Sequence, residues 1–230
     1  MYGMYGYGYG YGLDPTIILV LIGVALSLWA QGRVNSTFSR YSRVRSMTGM
    51  TGAEAARRLL NAQGIYDVTV QQIAGELTDH YDPRTKTVNL SQSVYGATSV
   101  AAIGVAAHEC GHAMQDNEGY APLRFRSALV PVANFGSSLS WPLILLGLVF
   151  GGLGSPLVEI GILMFSLAVL FQLVTLPVEY NASARAVRLL DAQGILAGEE
   201  VNGTRKVLNA AALTYVAAAA TSILQLLRLI

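Results

Sequence analysis

Cysteine is almost absent from this chain, with one in 230 residues. That excludes an internal disulfide and a cysteine-rich metal site. Histidine is nearly as scarce, so any imidazole chemistry must be built from His80, His108 and His112. Charge is thin as well: Asp, Glu, Lys and Arg make up 13% of the chain against 53% apolar residues, about half the charge of an ordinary soluble domain. The net charge of +1 argues neither for nor against nucleic acid, and no nucleic-acid partner is expected.

What is present is long apolar runs. Leu13–Ala30 carries only Asp14 as a charge, and at 18 residues it is about the minimum length to span a bilayer. Leu129–Gly152, Leu157–Val178 and Val207–Ile230 are longer candidates. The first run has neither a basic segment before it nor an A-x-A cleavage site, so it reads as an uncleaved anchor. With four spans, every basic residue except Arg228 falls on one side, and Arg33, Arg40, Arg43 and Arg45 follow the first span directly. The excess of positive charge then predicts an outside N-terminus and a cytoplasmic face for both basic loops. A multi-pass protein of the cytoplasmic (inner) membrane is expected, with the lipid bilayer as its first partner.

The segments between spans carry the chemistry. Residues 1–12 form a Tyr-Gly tract expected to be disordered. Arg33–Thr51 reads as a basic connector that either contacts anionic lipid or simply sets topology. Thr51 and Glu54 form a capping box ahead of a helix over Ala53–Gln63, ended by Gly64. The stretch Arg58–Ile65 is echoed by Arg188–Ile195, and in both a glycine followed by isoleucine suits a helix stop. Asp67–Leu90 is the one β-like region, a hairpin or three-stranded sheet with a turn at Asp82–Thr85. Its Lys86–Leu90 strand is the one expected to hold an extended peptide.

His108-Glu109-Cys110-Gly111-His112 follows an apolar run, Val100–Ala107, that predicts a buried helix. Four residues apart on a helix, His108 and His112 share a face and can bind one Zn²⁺ at about 2.0–2.1 Å each. Glu109 projects to the side, where it can take a proton from water without being a ligand. Cys110 lies about 200° around the helix from His108 and reads as core. Gly111, poor inside a helix, implies a close approach. A third ligand is needed. Glu179, just after Pro177 at the end of the third span, is the favoured candidate, and His80 is the alternative; Asp116 and Glu118 lie too near in sequence. Glu179 could instead be an interfacial carboxylate capping the helix it begins, as is expected of Glu159. His80 is otherwise expected near the substrate or oxyanion, or as a surface histidine.

Leu77–Pro83, Ala106–Ala113 and Pro177–Ser183 together resemble the corresponding motifs of the YugP-type neutral zinc metallopeptidases, and more distantly the HtpX-type and CAAX prenyl membrane proteases. The resemblance runs from about Thr16 to the C-terminus and implies a gluzincin site: one zinc per chain on His108, His112 and Glu179, with Glu109 as base. It departs at Ser183, where the distant relatives carry an Asp that orients a histidine. A membrane scaffold partner is compatible with it, although no residue speaks for one.

The expected fold is therefore a mainly α membrane protein, with about four transmembrane helices and a small gluzincin-like zinc domain carrying a short β-hairpin or sheet. The expected layout is a tail (1–12), span 1 (13–31), a cytoplasmic catalytic region (32–128), a transmembrane hairpin (129–178), a cytoplasmic helix (179–206) and span 4 (207–230). The expected function is hydrolysis of a protein or peptide substrate by an integral-membrane zinc endopeptidase with His80 and Glu109 at its catalytic site. Two rivals remain: a catalytically silent zinc-stabilised scaffold or chaperone, and a transporter. The near absence of ionisable groups within the spans opposes the transporter.

Overall fold

The computed structural model describes residues 15–230, so the Tyr-Gly tract lies outside the described residues. Four helices dominate: α1 (Ile17–Tyr41), α5 (Ala121–Gly151), α6 (Pro156–Ala192) and α7 (Glu199–Leu229). Each is long and apolar enough to cross a membrane. Leu28, Phe135, Phe150 and Leu163 on them are largely exposed within the chain. Such surface is costly in water and suited to lipid.

The helices outrun their apolar stretches. α1 continues through the expected connector to Tyr41, α5 starts at Ala121 and α7 at Glu199. The helix expected to open at Glu179 is the continuation of α6 across Pro177. An apolar run measures only the length immersed in hydrocarbon, whereas the backbone ladder propagates until a breaker stops it.

Between α1 and α5 lie the smaller elements: α2 (Gly52–Ala62), β1 (Thr69–Ile73), β2 (His80–Asp82), β3 (Thr87–Ser91), α3 (Gln92–Tyr95) and α4 (Val100–Asn117). The Thr51 hydroxyl accepts from the Glu54 amide at 3.2 Å, and the Glu54 carboxylate accepts from the Thr51 amide at 2.8 Å, closing the capping box on α2. Both echoed stops are Schellman caps: Gly64 and Gly194 have φ of 69° and 60°. Ile65 and Ile195 each donate to the carbonyl five residues back, at 3.0 Å. Both isoleucines are buried in one core with Leu59, Leu90, Ile103 and Leu190.

The sheet order is β1-β3-β2, with β1 parallel and β2 antiparallel to β3. This overturns the assignment of the peptide-binding strand. Lys86–Leu90 supplies β3, the central strand, whose two edges are both paired. The edge strand beside α4 is β2.

α4 is the buried axis of this region, packed on α2, α6, α7 and the sheet. A methyl placed on Gly111 would sit 2.6 Å from the Ala182 carbonyl oxygen of α6. The glycine is where α4 and α6 come close enough for their side chains to converge.

Candidate metal centre

Helical spacing brings His108 and His112 to one face of α4, and the approach at Gly111 brings Glu179 of α6 opposite them. His108 Nε2 lies 3.2 Å from His112 Nε2 and 3.2 Å from Glu179 Oε2, and His112 Nε2 lies 3.5 Å from the same oxygen. Around a tetrahedral ion with ligand bonds of about 2.05 Å, neighbouring donors stand about 3.3 Å apart. The three atoms therefore form one face of a tetrahedron of the size zinc requires, and these residues could hold a metal ion. Among the described residues this is the one such group of His, Cys, Asp and Glu side chains.

The outer nitrogens of the two histidines are also occupied. His112 Nδ1 donates to Gln115 Oε1 at 3.0 Å. The Gln115 amide nitrogen donates to the Val178 carbonyl and to Asn181 Oδ1, which fixes which end of the amide accepts. His112 thus carries its proton on Nδ1 and turns the Nε2 lone pair to the cluster. His108 Nδ1 meets the hydroxyl of Ser183, the residue at which the resemblance departs, at 3.1 Å. The cluster calls for positive charge. Burial opposes a charged His112, yet the bond that the protonated ring makes to Glu179 and the nearby carboxylates outweigh it and raise its pKa above the ordinary value.

Glu109 is buried beside this group and not part of it. Its Oε2 accepts the Tyr81 amide of β2 at 3.0 Å, which turns the carboxylate toward the sheet edge. Cys110 faces the other way, its thiol against the Ala56 carbonyl at 3.6 Å, and burial pushes its pKa up. The two rejected acids have other partners: Asp116 takes Lys86 at 2.7 Å and the Tyr81 hydroxyl at 2.8 Å, and Glu118 takes Arg185 at 2.6 Å. The Tyr81 phenol is pushed up by burial and by that bond to Asp116.

His80 lines the same cleft but lies outside the donor group. Its Nδ1 donates to the Thr78 carbonyl at 2.9 Å, and its Nε2 accepts from the Asn89 amide at 3.1 Å. With both nitrogens engaged, the ring has no free N–H for an oxyanion. Asp79 beside it is anchored by the Ser91 amide and hydroxyl, and burial raises its pKa.

Two cavities meet at the centre. One, of about 760 Å³, runs from Asp79–Arg84 past His108, Glu109 and His112 to Arg126, Asn134 and Tyr215. The other, of about 190 Å³, shares Asp79, His108, Glu109, Glu179 and Tyr215 and is walled by Val34, Leu77, Val105 and Leu208. Arg126 Nη2 lies 3.7 Å from Glu179 Oε1, and its buried Nε has no hydrogen-bond partner among the described residues.

Three residues here were not visible to sequence reasoning: Gln115, Arg126 and Tyr215. Gln115 had a weak signal, a polar residue one turn beyond His112 on a buried helix. Arg126 and Tyr215 had none, because each reaches the site from a membrane helix distant in sequence.

Residues 16–230 match the family model described as "Putative neutral zinc metallopeptidase". "Putative membrane protease YugP" of Bacillus subtilis (strain 168) is 50% identical over 214 residues, covering 93% of this chain and 94% of that one. No solved structure matches.

Proposed function

From the premise that this chain belongs to the neutral zinc metallopeptidase family, we propose that it is a zinc-dependent endopeptidase cleaving protein or peptide substrates at a centre held by His108, His112 and Glu179. It is a multi-pass membrane protein. The observation that carries the reading is the tetrahedral face of three donors, with a second buried acid, Glu109, beside it and outside it. A purely structural zinc site would have no use for that acid.

Zinc, when bound, supplies a Lewis acid that polarises a carbonyl and lowers the pKa of a water to about 7. Glu109 takes the proton of the attacking water and delivers it to the leaving amine nitrogen. Tyr215 and Arg126, both lining the cleft beside Glu179, donate to the negative charge that develops on the carbonyl oxygen. The edge of β2 that faces away from β3, where the Tyr81 amide now bonds Glu109, receives the peptide as an added strand. His80 belongs to that strand and helps hold it through Thr78 and Asn89. The smaller apolar cavity takes an apolar side chain next to the scissile bond.

The test is cleavage of an unstructured protein by the purified, detergent-solubilised chain. A chelator should abolish turnover, and stoichiometric zinc should restore it. Cleavage that survives complete zinc removal would end the proposal, and so would zinc-loaded protein that cleaves nothing while remaining folded.

The proposed site is the cytoplasmic membrane, with the 32–128 and 179–206 segments on the cytoplasmic side. Support comes from the arginines that follow the first apolar run. A cysteine replacing Arg84, an exposed residue, should react with an impermeant thiol reagent only after cell lysis. One replacing Gly3 should react on whole cells. The native Cys110 is fully buried and should be silent. Labelling at position 84 from outside would reverse the orientation.

A further inference from the structure

A cavity of about 670 Å³ lies between α1 and α7, on a different side of the helices from the catalytic cleft. Arg33, Arg40 and Lys206 line it, together with Ser36, Tyr180 and Asn209, and no carboxylate does. None of these three cations makes an ion pair with a carboxylate of the described residues. A second cavity of about 330 Å³ shares Tyr180 and Asn209 and adds Arg188 and Arg205, again with no acid in its wall. Five cations line these two neighbouring cavities, whose walls hold no carboxylate of the described residues, and such a surface calls for an anion.

Its depth identifies the anion. The apolar run of α1 ends at Ala30, and Arg33 is one turn beyond it, at about 1.5 Å per residue. Trp29, 55% exposed, marks the same level on the same helix, as aromatics do at a membrane interface. On the membrane side, α1 and α7 are tied by the Thr221 hydroxyl donating to the Gly23 carbonyl at 3.1 Å. On the other side, Tyr41 lies against Gly203. Between these contacts the lining residues Ser36, Thr37 and Ala210 are small, and the two helices leave a gap at headgroup height. Leu213 lines it as well, one α7 turn further toward the apolar side.

We propose that this cavity binds the phosphodiester headgroup of an anionic glycerophospholipid, with Arg33, Arg40 and Lys206 on the phosphate and the acyl chains running down past Leu213. The site stands apart from the peptidase reading and does not depend on it. It goes beyond a general attraction of basic residues to an acidic membrane, because it needs the cavity as well as the charge.

The experiment uses the full chain, purified in an uncharged detergent and stripped of lipid. Short-chain phosphatidylglycerol, short-chain phosphatidylcholine and inorganic phosphate are titrated separately, and bound molecules are counted by native mass spectrometry. Wild type should take up a first phosphatidylglycerol at least tenfold more tightly than the choline lipid or inorganic phosphate. The triple variant Arg33→Gln, Arg40→Gln, Lys206→Gln should lose at least tenfold of that affinity. Asn209→Trp fills the cavity without changing charge and should lose as much. Arg43→Gln with Arg45→Gln, equally basic positions outside the cavity lining, should lose nothing. A circular-dichroism spectrum and melting temperature equal to wild type certify that each variant is folded. Equal weakening in the Arg43/Arg45 variant would reduce the effect to diffuse charge and overturn the site. Full affinity in Asn209→Trp would overturn it as well. Inorganic phosphate binding as tightly as the lipid would replace the headgroup with free phosphate.

Discussion

Glu109→Gln is expected to lower peptide cleavage by at least about 10²-fold, the low end for loss of a general base, while zinc content and melting temperature stay at wild-type values. The geometry makes this substitution unusually clean. Glu109 stands outside the three-donor group, so removing its charge takes nothing from the metal. Its Oε2 accepts the Tyr81 amide at 3.0 Å, and the oxygen of a glutamine can keep that bond. Size and the hold on β2 are therefore preserved, and only basicity is lost. The measurement is kcat on an unstructured protein substrate alongside zinc per chain. Unchanged cleavage by Glu109→Gln would remove the proposed mechanism even if the protein binds zinc. No cleavage by either form, with one zinc bound in both, would favour the silent scaffold.

Glu179→Ala should leave the protein with almost no zinc, and His80→Ala should leave it fully loaded. Catalytic zinc sites use three protein ligands, and two imidazoles 3.2 Å apart with nothing opposite them make a poor one. Truncation of Glu179 also leaves the half-buried Arg126 guanidinium without its neighbour at 3.7 Å, so some loss of stability is expected in addition. Glu179→Gln, which preserves shape, separates the two effects. It should melt closer to wild type than Glu179→Ala and still bind zinc poorly, since a neutral amide replaces the anionic donor. His80, with its nitrogens on Thr78 and Asn89, has no part in the donor group. Zinc lost from His80→Ala and kept by Glu179→Ala would invert the assignment. A melting temperature raised by added zinc in wild type and not in Glu179→Ala would give the same answer through linkage.

The scaffold and transporter readings draw no comparable support. Family membership and the 50% identical Bacillus relative point to peptidase chemistry. No described feature of the spans suggests a transport path: Glu159 and Arg228 stand in the terminal turns of α6 and α7.

Local physics made part of this molecule legible before any coordinates. The i, i+4 placement of His108 and His112 follows from helix pitch alone. The capping box at Thr51 and the glycine stops at Gly64 and Gly194 are hydrogen-bonding patterns closed within six residues. Membrane spans are a matter of length and hydropathy. Cys110 could be turned away from the donor face by counting degrees around one helix. Even the placing of Glu179 beside the two histidines was within reach, because a membrane hairpin must return its far end to the side from which it left.

Other features depended on contacts between distant segments, which a single sequence does not encode position by position. Strand order is one. Lys86–Leu90 has the pattern of a strand, but nothing in it says whether one edge or both are paired, and pairing with β1 as well as β2 takes it out of contention for substrate. Element ends are another, since α1 and α6 continue past the residues that lipid requires. The surroundings of the three-donor group depend most on tertiary structure. Ser183 reaches His108 across 75 residues, Gln115 holds His112 while bonded to the backbone of α6, and Tyr215 arrives from the last helix. The sequence by itself determined which residues could bind a metal and which segments could cross a membrane, because helix pitch and bilayer thickness apply to any chain. Only the packing of α4 against α6, at the point where Gly111 lets the backbones touch, decided that three of those residues meet at distances suited to one ion.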